Sequence, residues 1–214
     1  MNSAEKLSIY YKKSSSIWDT NLIIWSSKII KSASQQLNCL LRLGHYLYIN
    51  TRLLFYKSFV LSNFNYCSAV WHFCGASNSA KLEKLQFRAL KFIFDRYDLD
   101  YSTLLRMANL PTLELSRMKN IATEVYKAVQ GSNPEYINRV FKPNAHGYSL
   151  RAKYTVRAST CHTTKGGLHS GKNFGTKIWN SLPNELRTGK NFPTFKRLLR
   201  HWDGFSCKCC SCRQ

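Results

Sequence analysis

The chain has 214 residues, 44% of them hydrophobic and 14% aromatic, enough for one ordinary domain or two small ones with a real core. Its formal net charge of +21 repels itself and is relieved by a polyanion, so nucleic acid leads over a membrane surface or an acidic protein as partner. No run of about 18 apolar residues exists, which excludes a transmembrane helix. The N-terminus lacks the apolar run of a secretory leader, which points to an intracellular protein of the nucleus or cytoplasm.

Residues 1–25 carry Tyr10, Tyr11, Trp18 and Trp25 without a period. They are expected to form a divergent, poorly ordered segment. Over 26–43, Ile30, Ala33, Leu37 and Leu40 recur three or four apart. That spacing predicts a helix with one apolar face, capped by Ser26 or Ser27 and stopped by Gly44. Asn50 or Thr51 is placed to cap a second helix, which reaches about Phe64 and buries Leu53, Tyr56, Val60 and Phe64. An aromatic elbow follows, Asn65-Tyr66-Cys67-Ser68-Ala69-Val70-Trp71. Cys67 and Cys74, with His45 and His72, match no common zinc spacing. The two thiols read as packed among aromatic rings.

Asn78 or Ser79 can cap a third helix that ends near Phe94. Leu82, Leu85, Ala89 and Phe92 form its apolar stripe. Lys81, Lys84, Arg88 and Lys91 form a basic stripe beside it at the same spacing. One helix can bury the first stripe and display the second. These four cations are the first candidate contacts to a phosphate backbone; the alternative is a solvated face. Asp95, Asp98 and Asp100 are the only acidic cluster. Three carboxylates suit Mg²⁺, but no second aspartate on a distant strand joins them. They read as a polar turn, with Ser102 capping a helix over 103–109. Pro111 ends that helix, and Thr112 caps the next. There Leu115, Met118, Ala122, Val125 and Val129 repeat as far as Gly131. Asn133 then caps a short helix that starts at Pro134 and reaches about Phe141.

After Phe141 the composition shifts, with fourteen Lys and Arg against only Glu185 and Asp203. Residues 148–156 alternate weakly and are expected as strands of a small hairpin; 160–170, with Gly166-Gly167, reads as a loop. A last short helix over 192–202 has Phe195, Leu198, Leu199 and Trp202 on its apolar side. Lys196, Arg197 and Arg200 on its basic side are the second candidate set for backbone contact. Cys207, Cys209, Cys210 and Cys212 crowd the end of the chain. Their gaps are too short to wrap one tetrahedral zinc comfortably, so a flexible, oxidisable tail is expected and a zinc site is the alternative.

Several of these stretches share one resemblance. Leu53-Leu54-Phe55-Tyr56-Lys57-Ser58-Phe59, Phe64-Asn65-Tyr66-Cys67, Val70-Trp71 and Leu85-Gln86-Phe87-Arg88-Ala89-Leu90 resemble the region downstream of the palm in jockey-like non-LTR (LINE) retrotransposon reverse transcriptases. Leu110-Pro111, Tyr126-Lys127 and 134–141 continue it, and Trp179-Asn180-Ser181-Leu182-Pro183 matches the family's C-terminal W-N-x-L-P motif. The resemblance implies a thumb that tracks the backbone of an RNA/DNA primer-template, with the catalytic palm outside this chain. The expected architecture is mainly α. A thumb-like bundle covers 26–141, a less regular basic region 142–206 and the Cys-rich tail 207–214, with about five to seven helices in all.

The expected function is that of a truncated C-terminal fragment that binds template-primer without polymerising alone, since two-metal phosphoryl transfer needs paired carboxylates. No catalytic residue and no cofactor is expected. Mg²⁺ belongs to the palm, which is a partner if it is encoded upstream. The alternatives are a transposon remnant without function, and a domesticated basic adaptor for RNA or protein.

Overall fold

A computed structural model describes residues 15–66, 68, 72, 76–144, 155–157, 171–189 and 191–204, with 15–23 and 25 by backbone only. The described residues are mainly helical, as the periodicity predicts. They belong to two compact units, one of Asp19–Arg117 and one containing 118–204. The division falls inside one continuous helix, where no break in periodicity marks it. No described helix is long and apolar enough to cross a membrane.

The first unit contains α1 (Ser15–Leu43) from Asp19 onward, a helix that begins well ahead of the expected Ser26. Residues 15–25 are thus helical in backbone. Ser26 is no cap: it is buried, and its Oγ accepts a 2.8 Å hydrogen bond from Asn78 Nδ2. A 3₁₀ turn (Gly44–Tyr46) follows, and α2 (Ile49–Phe55) starts after Tyr48 with no side-chain cap. That helix runs through a π-helical turn (Tyr56–Val60) into α3 (Leu61–Asn65). Widening to i→i+5 keeps Tyr56, Val60 and Phe64, each four apart, on one fully buried line. Asn63 ties α3 to α1 by donating to Gln36 Oε1 and accepting from Ser32 Oγ at 3.3 Å.

Two more helices complete this unit, α4 (Ala76–Phe94) and α5 (Tyr101–Ala108), together with the start of α6 (Leu113–Val129). The core joins Ala33, Leu37 and Leu40 of α1 to Leu82, Ala89, Leu90 and Ile93 of α4 and Leu104 of α5, all sealed from solvent. Each such leucine or isoleucine contributes roughly 1.5–3 kcal/mol of burial before chain entropy opposes it. Asp100, not Ser102, caps α5, which starts two residues earlier than expected. Its carboxylate accepts from Ser102 N at 3.2 Å and from Ser102 Oγ. Those bonds pull the Asp100 pKa down to about 2. Thr112 caps α6 as expected, its Oγ1 accepting from Leu115 N at 3.2 Å.

The second unit holds the rest of α6, α7 (Glu135–Asn138), α8 (Gly171–Ser181), α9 (Asn184–Arg187) and α10 (Phe192–Arg200). Asn133 does not cap α7; its amide donates to Glu124 O at 3.2 Å, and the helix stops well short of Phe141. Where a hairpin is expected, Pro143 and Val156 form one antiparallel β-bridge. Asn144 N donates to Thr155 O at 2.8 Å, and Arg157 N to Lys142 O at 3.0 Å. The intervening 145–154, the loop at 160–170 and the tail 207–214 lie outside the described residues.

The W-N-x-L-P motif supports this unit. Trp179 is fully buried, with its ring centroid 6.3 Å from those of Tyr126 and Phe195. Tyr126 and Phe195 stack at 4.2 Å and 19°. The Asn180 amide accepts from Val156 N at 2.9 Å and donates to Val156 O at 3.0 Å, pairing with the backbone as a neighbouring strand would. Leu182 is buried, and Pro183 starts α9. A β-carbon at Gly175 would stand 3.0 Å from the Phe141 ring and from Val125, tighter than an ordinary contact, so the close approach of α8 favours glycine.

Candidate nucleic-acid interface

The first candidate row stands on α4. At about 100° per residue, Lys81, Lys84, Arg88 and Lys91 fall within about 80° of arc. The buried residues Leu82, Gln86, Ala89, Leu90, Phe92 and Ile93 take the adjoining arc. Packing that arc on α1 and α5 leaves Lys81, Lys84 and Arg88 exposed. Lys91 is half-buried and differs: its Nζ sits 4.3 Å from the centroid of the Phe87 ring. A cation over a ring face is held there by the ring quadrupole, so Lys91 is the least available of the four.

Glu83 is the one carboxylate on this helix, and it points away from the row. It accepts from the Tyr101 hydroxyl, and its Oε1 accepts from Glu114 N at 3.0 Å. Glu83 thus completes the capping that Thr112 begins, satisfying a second orphan donor at the N-terminus of α6 and placing negative charge at its positive end. Burial and the neighbouring Glu83 push the pKa of both Tyr56 and Tyr101 up. The carboxylate that could have neutralised the row is therefore committed elsewhere.

Both ends of the helix are tied. Near the start, Arg117 Nη2 donates to Ser79 Oγ at 2.8 Å. Near the end, Arg52 Nη1 donates to Phe92 O at 3.2 Å, a cation at a helix C-terminus. A β-carbon on Gly44 would collide with the Phe92 ring, so only glycine lets the 3₁₀ turn close against α4. His72 is also buried in this unit, and burial, aided by Arg117, holds its pKa down to about 3. It is a neutral core imidazole, whereas His45 is exposed with its ring 5.2 Å edge-on from Phe92. Cys67 and Cys74 lie outside the described residues.

The second candidate row, on α10, belongs to the other unit. Lys196, Arg197 and Arg200 are all exposed, opposite buried Phe195 and Leu199. Lys196 Nζ lies 5.0 Å from the Phe192 ring centroid. Lys127 approaches the same ring at 5.8 Å. Lys119 Nζ donates to Arg200 O at 2.7 Å and closes the C-terminus of α10; burial lowers its pKa, while Asp203 opposes that shift.

Among the described residues no three His, Cys, Asp or Glu side chains are grouped to hold a metal ion. Asp95 takes a left-handed φ of 53° and Asp100 serves as a cap, so the acidic stretch is a helix-to-helix turn. Cys207, Cys209, Cys210 and Cys212 lie outside the described residues. Two residues that spacing does not single out are Tyr46 and Tyr48, which are 89% and 88% exposed. An available signal is charge: no Asp or Glu occurs between Asp19 and Glu83. No protein-family model matches this chain, and no curated protein or solved structure is significantly similar to it.

Proposed function

We propose that this chain is the thumb-like, C-terminal part of a non-LTR retrotransposon reverse transcriptase, and that it holds RNA/DNA primer-template by its phosphate backbone without joining nucleotides itself. One observation carries the reading. Lys81, Lys84 and Arg88 stand exposed in one row, on a helix whose only carboxylate is bonded to other partners. A row of aligned cations suits phosphates and is poorly suited to reading bases, so binding should be indifferent to sequence. Lys196, Arg197 and Arg200 add a second set, and the engagement of Asp100 as a helix cap supports a structural role for the acidic turn.

The test compares salt dependence. Changing Lys81, Lys84, Arg88 and Lys91 to Gln should weaken binding to primer-template alike for every sequence. It should flatten the log–log salt slope by roughly 0.7–0.9 for each phosphate that is no longer neutralised. With Lys91 held on Phe87, about three phosphates should be released in this way, and about two in the equivalent α10 variant. Circular dichroism should not change, because Gln is a good helix former. An α4 variant with the wild-type slope would sink the proposal.

A further inference from the structure

We propose that Tyr46 and Tyr48 form a stacking platform for unpaired bases of a single nucleic-acid strand whose phosphates follow the α4 row. The strand path rests on the reading of that row given above; the platform itself rests on separate observations. The first is exposure. Tyr46 and Tyr48, 89% and 88% exposed, are the most exposed large hydrophobic residues described. Rings left this open are available for a ligand.

The second observation is rigidity. Arg52 Nε donates to Gly44 O at 2.7 Å and to Leu47 O at 2.9 Å, while its Nη1 holds Phe92 O. Leu47 N closes the turn on Gly44 O at 2.9 Å. The turn is thus bolted to the end of α4 through backbone groups, and its rings are presented without a loop having to order on binding.

The third observation is spacing. Leu47, between the two tyrosines, is extended at φ −111° and ψ 144°. The tyrosine Cα atoms are about 6.6 Å apart at strand rise. That is near twice the ~3.4 Å rise between neighbouring bases of a strand, so the pair suits stacked bases.

The fourth is charge and continuity. The run from 20 to 82 contains no Asp or Glu, and Arg42 and Lys57 are exposed on it. Nothing anionic on that stretch repels a phosphate chain. The turn packs against Phe92, which lies one turn beyond Arg88 on the same side of α4. A strand whose backbone follows Lys81, Lys84 and Arg88 arrives at the tyrosines. An apolar protein partner would use the rings but would leave the row unexplained.

The experiment uses the full chain and three probes: a single strand containing 2-aminopurine, an abasic strand of the same length, and a duplex. Wild-type protein should change the 2-aminopurine fluorescence and bind the base-bearing strand more tightly than the abasic one. The Tyr46→Ala/Tyr48→Ala variant should lose roughly five- to a hundredfold in single-strand affinity for each base released. It should also lose the preference over the abasic strand, while its duplex affinity, salt slope and circular dichroism stay unchanged. The Phe/Phe variant should bind as wild type, since stacking needs the ring and not the hydroxyl. Wild-type affinity in the Ala/Ala variant, weak binding in the Phe/Phe variant, or equal binding of the abasic strand each overturns the platform. If the α4 Gln variant keeps its slope while the Ala/Ala variant loses affinity, the row fails and the platform stands.

Discussion

The helices α4 and α10 present the same signal in sequence, an apolar stripe with a basic stripe beside it, and they use it differently. The row on α4 runs over three turns of a 19-residue helix, and three of its four cations stand clear. Its buried face is largely aliphatic. α10 has nine residues and rests on an aromatic stack, with Phe195 against Tyr126 and Trp179 close to both. One of its three cations leans over Phe192, and its last carbonyl is occupied by Lys119. A charge stripe therefore does not count its own available charges. Where nearby rings and carboxylates fall decides that. On α4 the tyrosine of α5 and the N-terminus of α6 draw Glu83 away; on α10 an aromatic ring underlies a lysine.

If α10 depends on the stack and α4 does not, removing the stack should separate them. Trp179→Ala should produce the largest effect, a loss of about 3–5 kcal/mol in urea denaturation, typical of deleting a fully buried indole. Hydrogen exchange at 192–200 should accelerate more than at 76–94. Equal acceleration of both helices would break the comparison. A smaller effect is expected at Asn180. Ala there leaves the N–H and C=O of buried Val156 without their partner, at a cost of about 1–3 kcal/mol. Asp should be no better than Ala, because a carboxylate keeps the bond from Val156 N and repels Val156 O. Wild-type stability in Asn180→Asp would show that the amide donor contributes nothing.

Much of the fold is legible in sequence because helical burial repeats near 3.6. Ala33, Leu37 and Leu40, then Leu82, Ala89 and Phe92, fall on the faces they bury, and Thr112 is a cap in the sequence pattern and in the structure alike. The departures have physical causes. Asp100 and Ser102 are both capping types two positions apart, and pattern alone does not choose between them. The π turn at Tyr56–Val60 changes the local period without changing which residues are apolar. Asn180 reaches Val156 across 24 residues, and no local signal carries so long a connection. Ser26 and Asn78 look like caps in sequence, yet they bond to each other from two helices. In the candidate site, the basic stripe is legible by spacing. The withdrawal of Glu83 and Lys91 is not, because it depends on Tyr101, Glu114 and the rotamer over Phe87. Tyr46 and Tyr48 give no periodic signal because a turn residue has no period, and only the acid-free run around them marks the region.

The smallest effect concerns Asp100, and it sharpens the account of how the segment after α4 is held. Its pKa lies at about 2, below the ordinary 3.8, because the ionised carboxylate accepts hydrogen bonds at the start of α5. The folded state therefore favours the charged form. The stabilisation is fully present above pH 3.8 and is lost as pH falls through about 2. Asp100 is exposed, so the change should be too small for a denaturant midpoint. It should appear as faster amide exchange in the first turn of α5. Asp100→Asn keeps an acceptor oxygen but cannot titrate, so in that variant exchange in this turn should follow only the intrinsic pH dependence of the chemistry. Asp100→Ala should fray the turn at every pH. If the wild type and the Asn variant show the same protection at pH 2 and at pH 5, the carboxylate charge plays no part in the cap, and the geometry of the turn must come from the left-handed Asp95 and the packing of Leu104 alone.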